Sequence, residues 1–152
     1  MKKGELLNRV LVLSVNSHAG QFDRGNNPYI LHSLKVMHYL KTNDEELQCI
    51  ALLHDVVEDT KTTWQDLIDI GCTDRIISAL KCLTKIPGQS NEEYQEVVMS
   101  NIDAMRVKLC DLRHNSDIRR LKGITEKDIK RLQKYNEFYL KINERLAYLG
   151  VS

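Results

Sequence analysis

The sequence predicts an all-α protein, a compact helical bundle that forms a single domain over residues 1–152. Three observations support this fold class. Only two prolines interrupt the chain, and Leu, Lys, Glu and Asp are frequent, a balance that favours helices over a β-sandwich. No segment convincingly alternates polar and apolar residues with the period of two that strands show. The chain is also long enough to bury about two-thirds of its unfolded surface in one core.

The first three helices are predicted at about 5–19, 30–41 and 44–58, from apolar residues at helical spacing. On the first helix the residues that share a broad apolar face are Leu6, Val10, Leu13 and Ala19. A loop over 20–28 follows, because the Gly-Asn-Asn-Pro run that ends at Pro28 is strong turn chemistry. Asp44, with the asparagine before it, supplies the N-cap of the third helix.

Five more helices are predicted, at about 63–71, 73–83, 90–100, 102–116 and 125–148. The first of these begins behind a Thr-Thr pair and ends at Gly71. A Pro-Gly pair separates the helix at 73–83 from the helix at 90–100. The last helix begins behind Thr125, with Asp128 at the third helical position, which is the pattern of an N-terminal cap.

Charge and composition exclude several functions. The formal net charge is only +1, whereas a protein that binds duplex nucleic acid through bulk electrostatics usually has a strongly basic face. An anionic ligand must therefore be held by a few local cations. The N-terminus has no signal-peptide pattern, and no apolar run approaches the length of a membrane span. We therefore expect no membrane association and a cytoplasmic location.

The cysteines predict neither a disulfide framework nor a zinc cluster. Cys49, Cys72, Cys82 and Cys110 are widely spaced, and no C-x-x-C pair occurs. Three of them lie in apolar stretches, as small buried hydrophobic residues do. We expect reduced, structural thiols.

The adjacent pair His54–Asp55 lies in the third helix, which is apolar nearly all round and is therefore predicted to be central and buried. A buried carboxylate needs a cation or several hydrogen-bond donors. On a continuous helix the two side chains point about 100° apart, so both reach one metal only if it lies between their directions. Glu58 and Asp59 follow one turn later, either on the same flank or as a solvated helix end.

A second set of polar residues lies in the helix at 102–116. Lys108, Asp111 and Asn115 fall at positions i, i+3 and i+7 and share one face, which suits metal and phosphate binding or a charged outer surface. His114 belongs to this site or packs beside it. His32, at the start of the second helix, is a ligand or a structural histidine by the same reasoning.

Three runs of residues resemble one known family. The order His32, His54–Asp55, Asp111 matches the H…HD…D signature of the HD-domain metal phosphohydrolases. The segments around these residues are similar to the hydrolase domain of RelA/SpoT proteins: HAGQ followed by PYILH, ALLHDVVEDT, and KLCD followed by HN. The short run Leu83-Thr84-Lys85 also fits a family element, and the resemblance covers about residues 5–145.

The resemblance implies a helical bundle that binds a divalent metal, usually Mn²⁺, and removes the 3′-pyrophosphate from the nucleotides ppGpp and pppGpp. It implies that the metal ligands are His32, His54, Asp55 and Asp111. Glu58 and Asp59 match the pair that orients and deprotonates the attacking water. The residues expected to contact substrate are Arg24, Tyr29, Lys85, Lys108, Arg113 and Asn115. The long relatives carry a synthetase domain after the hydrolase, and this chain is too short for one, so we expect a stand-alone small alarmone hydrolase whose oligomeric state the sequence leaves open.

Several positions depart from the family pattern. Asp23 occupies a position where the long alarmone enzymes have a cation, which leaves Arg24 alone beside it. Ser33 replaces a proline, Cys110 replaces an alanine, and Leu112–Arg113 reverses an Arg-Leu order. These departures concern the substrate rather than the metal. Two alternatives therefore stay open: a phosphatase of the same architecture acting on another nucleotide, such as the 2′-phosphate of NADPH, and a catalytically weak module that senses a nucleotide.

Overall fold

The computed structural model describes residues 1–151, which form nine α-helices and one short 3₁₀ helix. The α-helices are α1 (Glu5–Ser17), α2 (Ile30–Tyr39), α3 (Glu45–Leu53), α4 (Val56–Asp59), α5 (Trp64–Asp69), α6 (Asp74–Leu83), α7 (Asn91–Val98), α8 (Ile102–Asn115) and α9 (Glu126–Tyr148). The 3₁₀ helix spans Ile118–Arg120. Within the described residues no strand forms, and Phe22 and Pro28 make one isolated bridge. The all-α prediction is confirmed.

Helix α3 is the centre of the fold, as its apolar sequence predicts. It packs against α1, α2, α6 and α8, and α8 in turn packs against α2 and α9. Cys49, Ile50, Ala51, Leu52 and Leu53 are buried on all sides of α3. A helix that is apolar all round is stable only when neighbours cover every face, and four helices do so here.

The predicted helix starts agree with the caps in the structure. The side chain of Asp44 accepts a hydrogen bond from the Leu47 N–H and so caps α3. Thr63 and Thr125 each form a reciprocal capping box with the aspartate three residues later, at the starts of α5 and α9. These side chains satisfy backbone N–H groups that have no partner within the helix.

One predicted helix differs from the structure. The helix expected at 44–58 is interrupted, since α3 ends at Leu53 and α4 begins at Val56. The Ala51 carbonyl, which a continuing helix would offer to the Asp55 N–H, accepts a 2.7 Å hydrogen bond from His54 Nδ1 instead. This side-chain bond competes with the helical ladder. His54 and Asp55 therefore lie at the break between two helices, with His54 Nε2 and Asp55 Oδ2 2.9 Å apart.

Arg75 of α6 joins the starts of α3 and α8. Its guanidinium lies 2.7 Å from Asp44, 3.0 Å from Glu46 and 2.9 Å from Asp103, as nitrogen–oxygen distances. Two of these carboxylates lie in the first turn of a helix and Asp44 is an N-cap, where the helix dipole favours negative charge. We call these four residues the Arg75 network.

All four cysteines are free, as predicted, and Cys49 and Cys72 are buried. None of the described helices combines the length and the apolar character needed to cross a bilayer.

Candidate metal centre

Four side chains from three parts of the fold converge in the interior. His32 comes from the first turn of α2, His54 and Asp55 from the break between α3 and α4, and Asp111 from α8. One ligand atom from each lies within 4.8 Å of all the others. His32, His54 and Asp111 are at most 4% exposed. We call these four residues the His/Asp cluster.

The shortest contacts in the cluster join imidazole nitrogens to carboxylate oxygens. Asp111 Oδ1 lies 2.9 Å from His32 Nε2 and 3.2 Å from His54 Nε2. Asp55 Oδ2 lies 2.9 Å from His54 Nε2 and 3.8 Å from His32 Nε2. Both imidazoles thus present Nε2, and not Nδ1, to the two carboxylates.

The outward nitrogen of each imidazole has its own partner. His54 Nδ1 donates to the Ala51 carbonyl, which fixes the proton of a neutral His54 on Nδ1 and leaves the Nε2 lone pair facing the cluster. His32 Nδ1 lies 2.7 Å from Nδ1 of His114, and the two rings stack with centroids 5.0 Å apart. Metal-binding histidines are commonly oriented by a hydrogen bond at the other ring nitrogen. His114 therefore packs behind the cluster, which was one of its two predicted positions.

The carboxylates of the cluster have outer partners as well. The Tyr29 hydroxyl donates to Asp55 Oδ2 at 2.5 Å. Asp111 accepts from Lys108 Nζ at 2.9 Å and from Asn115 Nδ2 at 3.1 Å. The predicted face of Lys108, Asp111 and Asn115 is therefore turned inwards, and it is not a charged outer surface.

The charges in the cluster shift the pKa values of its members. Burial favours the neutral form of His54, but the negative charges of Asp55 and Asp111 outweigh burial and raise its pKa. Burial likewise opposes ionisation of Asp111, yet the Lys108 ammonium and the two histidines hold its pKa well below the usual range. For Asp55, His54 overcomes burial and lowers the pKa to about 2. Both carboxylates are therefore ionised near neutral pH.

This donor set fits a divalent cation. When His54 is neutral, its Nε2 is an acceptor that faces two further acceptors, the oxygens of Asp55 and Asp111. Such an arrangement is stable only if a proton or a cation lies among them. Two imidazole nitrogens and two carboxylates are a mixed ligand set that suits first-row divalent metals.

Glu58 and Asp59 lie at the end of α4, beside the cluster and open to solvent. Ligand atoms of Asp55, Glu58 and Asp59 lie within 4.8 Å of one another. Partial burial, with the negative charges of Asp55 and Glu58, raises the pKa of Asp59 to about 6. Gln21 Nε2 donates to the Asp59 carbonyl at 2.8 Å, which ties this turn to the loop after α1. The raised pKa places Asp59 in the range that suits a proton acceptor near neutral pH.

A pocket of about 300 Å³ opens next to the cluster. Tyr29 and Asn115 line this pocket and connect it to the cluster. The Tyr29 hydroxyl donates a hydrogen bond to Asp55, and the Asn115 amide donates one to Asp111. Arg24 lines the same pocket, so three of the predicted substrate contacts lie together. The volume is at the lower end of the range for small-molecule sites, about 300–1,000 Å³.

Arg120 is a residue of this pocket that the sequence did not identify. Its guanidinium lies 2.9 Å from the Asp23 carboxylate and 3.1 Å from Asn115 Oδ1. The negative charge of Asp23 is therefore neutralised by a cation from the 3₁₀ helix that follows α8. An acid at a position expected to be basic was a signal that a compensating cation existed, but the sequence does not say which one.

Three predicted substrate contacts lie elsewhere or are already engaged. The Lys108 side chain is half-buried and its ammonium is bound to Asp111. Lys85 is exposed, its N–H donates to Glu58 at 2.8 Å and its ammonium donates to Asn91. Arg113 lies apart from the cluster, with its guanidinium carbon 3.9 Å from the centre of the Tyr39 ring. Its position two residues after Asp111 turns it about 200° away around α8, so the structure does not bring it to the site.

The fold and the cluster together define an all-helical protein with a buried two-histidine, two-aspartate centre that could bind a divalent metal. The chain is 29% identical to the bifunctional (p)ppGpp synthase/hydrolase SpoT of Escherichia coli over 121 residues, which are 72% of this chain and 17% of that protein. It is 30% identical to the GTP pyrophosphokinase rsh of Brucella ovis over 140 residues, 84% of this chain and 18% of that protein. The chain therefore spans about one-sixth of the length of these curated relatives.

A solved structure of a metazoan ortholog of SpoT, reported to hydrolyse ppGpp, superimposes on the whole chain. The TM-score is 0.73 at 21% identity, and the match covers 100% of this chain and 99% of the other. No family model matches the sequence. The resemblance to RelA/SpoT proteins that the motifs indicated is confirmed by the relatives, and the helical fold is confirmed by the solved structure.

Proposed function

We propose that this protein is a metal-dependent phosphohydrolase that removes the 3′-pyrophosphate from guanosine tetra- and pentaphosphate. The observation that carries the proposal is the His/Asp cluster, in which two imidazole Nε2 atoms and two ionised carboxylates meet in a buried space. A structural role does not explain this geometry, since hydrophobic residues of similar volume would stabilise the interior at lower cost.

His32, His54, Asp55 and Asp111 hold the metal in this proposal, and Mn²⁺ is the expected ion. Carboxylate-rich sites suit manganese, whereas thiolate ligands would favour zinc. A divalent ion at this position lowers the pKa of a bound water and neutralises charge on the phosphate. Hydrogen bonds orient three of the ligand side chains: His114 contacts His32, the Tyr29 hydroxyl contacts Asp55, and the Ala51 carbonyl contacts His54. The pocket beside the cluster then limits where a substrate can lie.

Asp59 is the proposed proton acceptor, with Glu58 beside it. Its raised pKa, about 6, leaves it mostly ionised at neutral pH and makes it a better base than an ordinary aspartate. The Lys85 N–H donates a hydrogen bond to Glu58 and holds its carboxylate in place, so Glu58 has the role of orienting the water or the leaving group. The separate roles of Asp59 as proton acceptor and Glu58 as orienting group are part of the proposal.

The nucleotide lies in the pocket lined by Arg24, Tyr29, Asn115 and Arg120 in this proposal. Arg24 supplies positive charge for phosphate, and the phenol and amide groups supply hydrogen bonds. Arg120 pairs with Asp23 and so neutralises the acid at the place where the sequence alone had suggested the loss of a cation. Hydrolysis of ppGpp is named in the relatives that match 72% of the chain, and this resemblance supports the same substrate here.

The test is a substrate screen with Mn²⁺ in which products are read by mass. The proposal expects ppGpp to yield guanosine diphosphate and pyrophosphate. Release of orthophosphate from NADPH, with ppGpp left intact, would replace it by a phosphatase of the same architecture. If no nucleotide is hydrolysed and Asp55→Ala loses bound metal without changing the biological effect, the protein is a sensing module and the proposal is wrong.

A further inference from the structure

We propose that the protein has a second ligand site, which binds a small organic phosphate in a cationic cleft between α2, α8 and α9. The cleft has a volume of about 460 Å³ and does not include the His/Asp cluster. Its positive groups are Lys41, Arg106 and Arg113. The inference is independent of the proposed hydrolysis, because it concerns another face of α8.

The charge of the cleft is one-sided. Three cations line it, and among the described residues no carboxylate does. This is unusual in a chain whose positive and negative side chains number 22 and 21. Cations that line one cleft with no counter-charge repel one another, and a bound anion removes this repulsion. The distribution therefore indicates an anionic ligand.

Several cations elsewhere in the fold are already paired with carboxylates. Arg75 binds three carboxylates, Lys108 binds Asp111 and Arg120 binds Asp23. Within residues 1–151, the side chains of Lys41, Arg106 and Arg113 form neither an ion pair nor a hydrogen bond; the one polar contact of Arg113 is its stacking on Tyr39. Their N–H groups are free to bind phosphate oxygens, which guanidinium groups contact in pairs.

The walls of the cleft suit the organic part of such a ligand. They comprise the rings of Tyr39 and Tyr139 and the aliphatic side chains of Leu40, Leu47, Leu109 and Leu146. Arg106 and both tyrosines are half-buried, so the cleft is a concave site and not a flat charged surface. A phosphate on a flat or apolar body would contact both the cations and these walls, and the volume fits a small molecule.

The backbone at the edge of the cleft is also unusual. Lys41 has a φ of 47°, in the left-handed region that L residues rarely adopt. A glycine or asparagine would relieve this conformation, yet the position carries a lysine that lines the cleft. Non-glycine residues in this region are concentrated at ligand sites, which agrees with the charge distribution.

The cleft has a continuous contact path to the His/Asp cluster. Arg113 lies on the Tyr39 ring, the Tyr39 ring lies edge-on to His114 at 6.0 Å between centroids, and His114 stacks on His32. A phosphate bound to the N–H edge of Arg113 therefore contacts a guanidinium whose face lies on Tyr39. Binding of a ligand in the cleft can therefore be transmitted through Tyr39 to His114, the histidine that packs behind the metal centre.

The test uses the full-length, ¹⁵N-labelled protein and phenyl phosphate, which combines a phosphate with a flat ring. In titrations followed by amide chemical shifts, we expect Thr42 and Cys110 to move in a saturable way, and phenol to leave them unmoved. The double variant Arg106→Gln/Arg113→Gln should bind at least about tenfold more weakly, because two charge-assisted contacts are lost. The matched control, Lys130→Gln/Lys134→Gln, removes the same charge from the exposed side of α9 and should bind as the unchanged protein does.

Equal affinity in the double variant and the control would overturn the proposal, as would shifts confined to the pocket beside the cluster, around Tyr29 and Asn115. If the double variant fails to give a native spectrum, the exposed Lys41→Gln substitution serves in its place, with a loss of binding of about threefold or more expected. Unchanged binding in that variant, with no weakening when NaCl is raised from about 50 to about 500 mM, would also contradict an electrostatic site.

Discussion

Two polar clusters each join α8 to an end of α3, and they differ in how their hydrogen-bonding groups are matched. In the Arg75 network, one guanidinium donates hydrogen bonds to three carboxylates, and the arrangement is complete without any added ion. In the His/Asp cluster, the groups that face one another are acceptors, and they need a proton or a cation. The first cluster fastens helices together, and the second is arranged to bind something.

The two clusters also differ in their contact with water. The Arg75 side chain is 38% exposed, whereas the histidines and Asp111 are at most 6% exposed as side chains. Exposed ion pairs are screened and contribute modestly to stability. Buried and unbalanced groups are costly, and a fold retains them for a function. The comparison therefore predicts opposite consequences when each cluster is disrupted, one on catalysis and one on the free energy of unfolding.

The largest expected effect is that of Asp111→Asn. The change keeps the shape of the side chain but removes the charge that faces both histidines. If the cluster binds the catalytic metal, hydrolysis of ppGpp should fall by at least about 10³-fold, which corresponds to ~4 kcal/mol in the barrier. Asp103→Asn, in the Arg75 network of the same helix, is the control and should retain more than half of the activity. Equal losses in the two variants would contradict the distinction between the clusters.

A smaller effect on catalysis is expected from Asp59→Asn, which removes the proposed proton acceptor and leaves the four cluster residues unchanged. The turnover number should fall by about 10²–10⁴-fold, the usual contribution of general base catalysis. Metal content, measured by atomic emission after gel filtration, should stay that of the unaltered protein. Asp74→Asn, at the exposed start of α6, is the matched control. Loss of the metal from Asp59→Asn would show that Asp59 is a metal ligand and not the proton acceptor.

His114→Phe addresses the support behind the cluster. The phenyl ring keeps the stacking on His32 but removes the nitrogen that lies 2.7 Å from His32 Nδ1. Metal affinity should decrease by about 10–100-fold, as it does when an outer hydrogen bond to a metal-binding histidine is lost. Competition with a fluorescent chelator measures this affinity. The exposed His38, changed to phenylalanine in the same way, should leave it unchanged; a decrease there would mean that the effect is general.

The smallest effect belongs to the Arg75 network. Arg75→Gln removes the charge that joins α6 to the starts of α3 and α8, and the free energy of unfolding should fall by about 1–3 kcal/mol. Urea denaturation followed by circular dichroism measures this value. The turnover number of the folded protein should stay within about twofold of the original. A strong loss of turnover without a loss of stability would show that this network, too, acts on the site.

The sequence predicted most of the fold because its signals are local. Capping residues such as Asp44, Thr63 and Thr125 mark helix starts through hydrogen bonds that span three residues, and the structure contains each of them. The break at His54–Asp55 was missed, since it depends on a side chain that competes with the backbone for the Ala51 carbonyl. That competition is decided by tertiary packing, which periodicity does not describe.

The candidate site was predicted in part, and the reason differs from residue to residue. Burial identified His54 and Asp55, and the family resemblance added His32 and Asp111, which the structure brings within 4.8 Å of them. Arg113 was predicted as a substrate contact from its charge, but its direction around α8 takes it to the Tyr39 ring. Arg120 was missed because the loop that carries it has no periodic pattern, and only the fold shows that it reaches Asp23.

The most direct test of the account is the stoichiometry of Mn²⁺ binding at the His/Asp cluster, measured by electron paramagnetic resonance on chelator-treated protein. The account predicts one tightly bound ion per chain in the unaltered protein and in Asp103→Asn, and no tightly bound ion in Asp111→Asn. Binding should also raise the melting temperature of the first two proteins, because a ligand that binds only the folded state stabilises it. Failure of the unaltered protein to bind Mn²⁺ or another divalent metal tightly, or full binding by Asp111→Asn, would contradict it.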